Sequence, residues 1–218
     1  MNIYIIIVLG LIGIIIGYMI PAISSQLINY KNRKRNREPL ISNNPVLYRI
    51  LLVLLNGFLW AYTGSRTENT LIALLICLLF TITIIITIVD IRIRIIPNEL
   101  VLLMFCLGLV FQILYFGWKA LPSALACMLI VGFIFIIVGN FVGLQQIGAG
   151  DVKLAAVMGL TLGYPAIAIA LVAMSAILII YCLGGLIIKK LHRYSTFPFA
   201  PFLMFGNICG LLAIILHY

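Results

Sequence analysis

An all-α, polytopic membrane helical bundle is the fold class this sequence predicts, and three observations predict it. Hydrophobic residues fill 65% of the 218 positions and charged residues only 9%. Together with a mean hydropathy of +1.27, those proportions lie outside the range of water-soluble domains. The apolar residues fall into runs matching the roughly 20 residues a helix needs to cross a hydrocarbon core of about 30 Å. The 14 Lys and Arg residues, finally, cluster at alternate ends of those runs, as the positive-inside rule requires of a multi-pass protein. That clustering, rather than the net charge of +9, identifies the partner of the cations as a membrane surface and not nucleic acid.

About eight transmembrane helices are predicted, at roughly residues 3–28, 46–63, 70–89, 98–116, 121–141, 152–163, 164–188 and 199–217. The first has no basic residues before its apolar run, and its cations follow the run. It reads as an uncleaved helix whose N-terminus faces outward, not as a signal peptide. The segment 29-NYKNRKRNREPLISNNP-45 is the one sizeable polar loop and reads as a cytoplasmic anchor at anionic lipid. The third span ends in Asp90, and the fourth opens after Pro97 and Asn98, residues suited to starting a helix. Glu99 follows in its first turn, where an acid meets the positive end of the helix dipole. Residues 152–188 taken as one helix would run about 55 Å, far beyond the core, so a break is predicted at Gly163-Tyr164-Pro165. With the N-terminus outside, twelve cations fall on the cytoplasmic side and only Arg66 and Lys119 outside. No internal repeat or linker divides the chain, so residues 1–218 are expected to form a single membrane domain.

The five cysteines (Cys77, Cys106, Cys127, Cys182, Cys209) stand singly within apolar runs. Without a CxxC pair or a suitably spaced histidine they read as small buried hydrophobes, and no metal site is expected. His192 and Ser195 are three residues apart but lack an orienting third group and nucleophile-elbow glycines. Neither a phosphate-binding loop nor a dinucleotide fingerprint is present.

The chemistry that remains lies in the acids. Only two aspartates occur, Asp90 and Asp151, and the predicted topology puts both at the cytoplasmic boundary. An acid buried in a membrane segment is costly and marks a functional site by default. For Asp151 an N-cap is the alternative, because the carboxylate would satisfy orphan N–H groups at a helix start. Asp90, at the C-terminal end of its helix, opposes the dipole and has no such explanation, although Arg92 and Arg94 offer compensation. Two carboxylates held close share a proton, one acting as base on water and the other as acid on a carbonyl or amine. Gly148 and Gly150 allow irregular backbone and close approach of another chain. Lys153 is either a tuner of carboxylate acidity or an interfacial anchor that snorkels to the headgroups.

Three stretches carry a family resemblance. GAGDVKL (148–154) matches the GxGD motif of polytopic aspartyl peptidases, a group that also includes proteases of the presenilin and signal-peptide-peptidase type. The stretch 90-DIRIRIIPNEL-100 resembles the Asp, basic loop, Ile-Pro-Asn signature of bacterial type IV prepilin peptidases, and 197-FPFAPFLMFGN-207 resembles that family's PFxPF stretch. The resemblance implies a plasma-membrane peptidase that removes the basic leader from prepilins or pseudopilins, with Asp90 and Asp151 as the catalytic pair and a peptidase core at about 70–218. Many members carry a larger cytoplasmic domain with two CxxC pairs, and they methylate the new N-terminus with S-adenosylmethionine. Here the corresponding loop is short and lacks cysteine, so no cofactor is expected unless methyltransferase activity is retained. A carboxylate-relay transporter is the alternative from another class, although transport sites are expected near the midplane.

Overall fold

The computed structural model describes residues 3–38, 45–142, 148–188 and 198–217, with the side chains of 141 and 142 excepted. Among them the helices are α1 (Ile3–Lys34), α2 (Val46–Arg66), α3 (Thr70–Ile93), α4 (Asn98–Phe116), α5 (Leu121–Val142), α6 (Ala149–Leu162), α7 (Ala166–Ile187) and α8 (Ala200–His217). A 3-10 turn at Trp118–Ala120 joins α4 to α5. The chain divides into two compact units, Met1–Pro97 and Asn98–Tyr218. Among the described residues seven helices are long and apolar enough to cross a membrane, and the chain is a multi-pass membrane protein. The exception is α6, whose 14 residues rise only about 21 Å.

In the first unit, α1 runs six residues past the predicted end of its span. Its last turn carries Lys31, Arg33 and Lys34, cations that favour the negative end of a helix dipole. The basic segment therefore begins as helix rather than loop. The helix closes where the N–H groups of Arg35 and Arg37 both donate to the Asn32 carbonyl, at 3.0 and 2.9 Å. Residues 39–44 of the predicted loop lie outside the described residues. The start of α3 is set by Asn69, whose side-chain oxygen accepts from the N–H groups of Leu71 (2.9 Å) and Ile72 (3.4 Å), the N-capping geometry.

A buried polar chain pins the register of these three helices. Asn56 Nδ2 donates to the Gly13 carbonyl at 2.8 Å. Trp60 Nε1 donates to Thr81 Oγ1 at 3.1 Å. The Thr81 hydroxyl in turn reaches Asn56 Oδ1 at 3.1 Å and the Cys77 carbonyl at 3.0 Å. Asn56, Thr81 and Trp60 are buried, and in lipid such groups find no water if their partners are lost. An Asn56→Leu variant is therefore expected to lose about 1–2 kcal/mol of helix association. It should show as a lower thermal transition in detergent, and an unchanged transition would mean that packing alone sets the register.

In the second unit α6 is the hub, with α4, α5, α7 and α8 packed around it. Its sequence suits that place: Leu154, Ala155, Met158, Leu160 and Leu162 are buried, so the short helix is apolar around most of its circumference. The predicted break is present, with α6 ending at Leu162 and α7 starting at Ala166. Gly163 adopts a φ of 62°, a left-handed conformation that glycine accepts without steric cost. At the same end Gln112, buried in α4, donates through Nε2 to the Thr161 carbonyl at 3.1 Å. In the PFxPF stretch, whose Phe197 lies outside the described residues, the aromatic rings serve packing. Phe199 meets Phe135 of α5 edge-on at 6.0 Å, and Phe202 meets Tyr181 of α7 at 5.2 Å.

Candidate active site

Asp90 is buried and lies one turn before the end of α3. The sequence places it at the helix end, but the helix continues to Ile93 before Arg94 turns left-handed at φ 51°. The Arg94 N–H closes the helix by donating to the Asp90 carbonyl at 2.8 Å. Nearby, the Arg92 guanidinium sits over the Tyr48 ring at 5.7 Å, joining the C-terminal end of α3 to the start of α2. That cation–π contact was not visible in the sequence, because 44 positions separate the two residues. Pro97 is buried and ends the first unit.

Asp151 is the third residue of α6, not its cap. The helix starts at Ala149, three residues earlier than the span predicted from 152, and Gly148 occupies the cap position in extended conformation at φ −71° and ψ 147°. Asp151 Oδ2 reaches back to accept the Gly148 N–H at 3.0 Å, while its own N–H donates to the Gly148 carbonyl at 2.9 Å. This is the acid half of a capping box, which needs the carboxylate two or three positions inside the helix. The N-cap alternative is corrected to that extent. The carboxylate does serve the helix start, but from the third position and with one oxygen aimed along the backbone of the GAGD stretch. Gly150, the second helical residue, is half-buried.

Removal of the donor tests that link. The φ of −71° at Gly148 matches the range proline enforces, so Gly148→Pro deletes the N–H while suiting this backbone angle. If Asp151 depends on that bond for its orientation, the variant is expected to lose about tenfold in turnover, on the order of one charge-assisted hydrogen bond. Turnover equal to wild type would detach Gly148 from the site.

Asn98 and Lys153, both exposed, come together at one end of an open groove of about 460 Å³ that continues between Val101 and Phe105 of α4 and Ala156 and Val157 of α6. Of the residues predicted for the site, the second unit thus joins Gly148 to Asp151 and Asn98 to Lys153, while Asp90 and Pro97 belong to the first unit. The groove-lining apolar residues were not singled out from sequence, although their spacings of three, four and seven from Asn98 or Lys153 are the signal of one helix face. His192 and Ser195 lie outside the described residues.

A model of the type IV leader peptidase family matches residues 77–187, a span that contains both Asp90 and Asp151. A curated "Prepilin leader peptidase/N-methyltransferase" from Aeromonas salmonicida (strain A449) is 29% identical over 186 residues, covering 84% of this chain and 62% of the relative. The protein of the same name from Aeromonas hydrophila is 28% identical over 186 residues, with the same coverage. One from Pectobacterium carotovorum subsp. carotovorum is 26% identical over 168 residues, covering 75% of this chain and 57% of the relative. The chain spans less than two thirds of the length of these curated relatives. No solved structure gives a significant match.

Proposed function

Because this chain belongs to the type IV leader peptidase family, we propose that it is a membrane aspartic endopeptidase that cleaves the basic leader from type IV prepilins or pseudopilins. The observation that carries the reading is that the family match runs through both aspartates of the sequence, Asp90 and Asp151. These acids are the proposed catalytic residues. One, ionised, takes a proton from water as it attacks the scissile carbonyl. The other, protonated, donates to the carbonyl oxygen; the first then passes the proton it took from water to the leaving amine as the C–N bond breaks, and the second regains its proton from a hydroxyl of the tetrahedral intermediate as the new carboxyl group forms. Two neighbouring carboxylates reach that singly protonated state because both ionise together only at a high electrostatic cost.

The twelve-to-two distribution of cations supports an orientation in a bacterial plasma membrane with the N-terminus outside and both acids at the cytoplasmic face. Prepilins approach from that side. The proposed hydrolysis uses water and two carboxylates and calls for no metal or cofactor. The relatives' name also includes N-methylation. Apart from Asn98 and Lys153 the walls of this groove are apolar, a poor match to the adenine, ribose and charged amino-acid groups of S-adenosylmethionine.

The test is direct. The purified protein in lipid is incubated with a prepilin, and loss of the leader is followed by mass. No cleavage of any of several prepilins by the intact protein would overturn the proposal. Incorporation of label from a methyl donor in the same samples would establish the second activity.

A further inference from the structure

We propose that the groove between α4 and α6 binds an anionic phospholipid, with the phosphate at Lys153 and Asn98 and one acyl chain along the apolar floor. The lining changes character in one direction only. From Asn98 the α4 wall descends through Val101, Leu102 and Phe105, and from Lys153 the α6 wall descends through Ala156 and Val157. The mouth is polar and everything below it is apolar. From Asn98 to Phe105 is seven residues, about 10 Å of helix, which fits within one leaflet of a core about 30 Å thick.

The mouth also carries a cation, Lys153. α4 begins at Asn98 and α6 at Ala149, and the Gln112 to Thr161 hydrogen bond joins their far ends, so the two helices run in the same direction. The mouth therefore lies at the N-terminal end of both helices, whose first turns already hold Glu99 and Asp151, so the charge offered to a headgroup is that of Lys153, on a stem long enough to reach it. The nearby acids are turned elsewhere. At 100° per residue Glu99 is rotated about 100° from Asn98, and Asp151 about 160° from Lys153.

That rotation also decides against a polypeptide occupant. Lys153, Ala156 and Val157 lie on the side of α6 turned away from Asp151, so a chain presented to the Asp151 carboxylate occupies the opposite side of the helix. An anionic head on an apolar tail fits what remains. The choice of lipid over polypeptide rests on the peptidase reading, and because the test involves no cleavage the two fail separately.

Delipidated full-length protein in detergent is titrated with phosphatidylglycerol, with phosphatidylcholine of the same chains, and with glycerol phosphate. Bound lipid is read by native mass spectrometry, and folding by thermal transition. Wild type is expected to prefer phosphatidylglycerol over phosphatidylcholine by about fivefold, the effect of one lysine at an anionic headgroup. Glycerol phosphate alone should not be retained. Lys153→Gln should abolish the preference and Lys153→Arg keep it, while Leu102→Ser, at an exposed position, should weaken both lipids. The proposal is overturned by an unchanged preference in Lys153→Gln, by equal binding of the two lipids to wild type, or by unchanged lipid binding in Leu102→Ser. A photo-crosslinker at Leu102 that captures a prepilin in place of lipid would also overturn it.

Discussion

Asp151→Asn is expected to lower leader cleavage by about 10³-fold, the scale of losing a positioned general acid or base, while leaving the thermal transition where it is. The reason lies in the start of α6. The carboxylate accepts the Gly148 N–H, and an asparagine side-chain oxygen accepts the same bond. The amide therefore keeps the helix start and loses only the capacity to take or give a proton. Asp151→Ala removes both, and is expected to add a stability loss of about 0.5–2 kcal/mol, the usual cost of losing a helix-terminal partner. Asp90→Asn should match the cleavage loss of Asp151→Asn, and the double variant should be hardly worse than either single one, because groups acting as a unit are not additive. Cleavage by either single variant within tenfold of wild type would remove that residue from the chemistry.

The second large effect is expected from a residue that touches no substrate. A side chain added at Gly159 would bring its Cβ within 2.8 Å of the Cys127 carbonyl oxygen and 3.2 Å of the Met128 Cα. Both are backbone atoms of α5 and cannot rotate aside. Gly159→Val must therefore push α5 away from α6, at about 1–3 kcal/mol for overpacking. For a chain of this size that corresponds to a fall of about 2–4 °C in thermal midpoint per kcal/mol. Since α6, the other partner in that separation, carries Asp151, cleavage is expected to fall at least tenfold although both acids remain. A variant with wild-type midpoint and turnover would show that α5 and α6 separate without consequence for Asp151.

Most of the helical plan was legible because the bilayer imposes a simple rule, an apolar run of fixed length with polar ends. The break at Gly163 was legible for the same reason, since one helix there would be too long. Helix ends were less legible. They depend on local hydrogen bonds: α1 continues until Asn32 takes the N–H groups of Arg35 and Arg37, and α3 continues past Asp90 to a left-handed Arg94. An apolar run records where lipid ends, not where helix ends.

The sequence by itself determined the multi-pass all-α class, the family motifs and the two aspartates, because each is written in composition or in contiguous residues. Only the tertiary structure decided that Asp151 sits third in α6 with its carboxylate on the Gly148 N–H, that Asn56, Thr81 and Trp60 form one buried chain, and that Asn98 and Lys153 share a groove mouth. The physical reason is common to the last two. Asn56 and Thr81 are 25 residues apart and Asn98 and Lys153 are 55 apart, so their meeting is fixed by the register in which helices pack, which depends on side-chain shape along whole interfaces rather than on any local pattern.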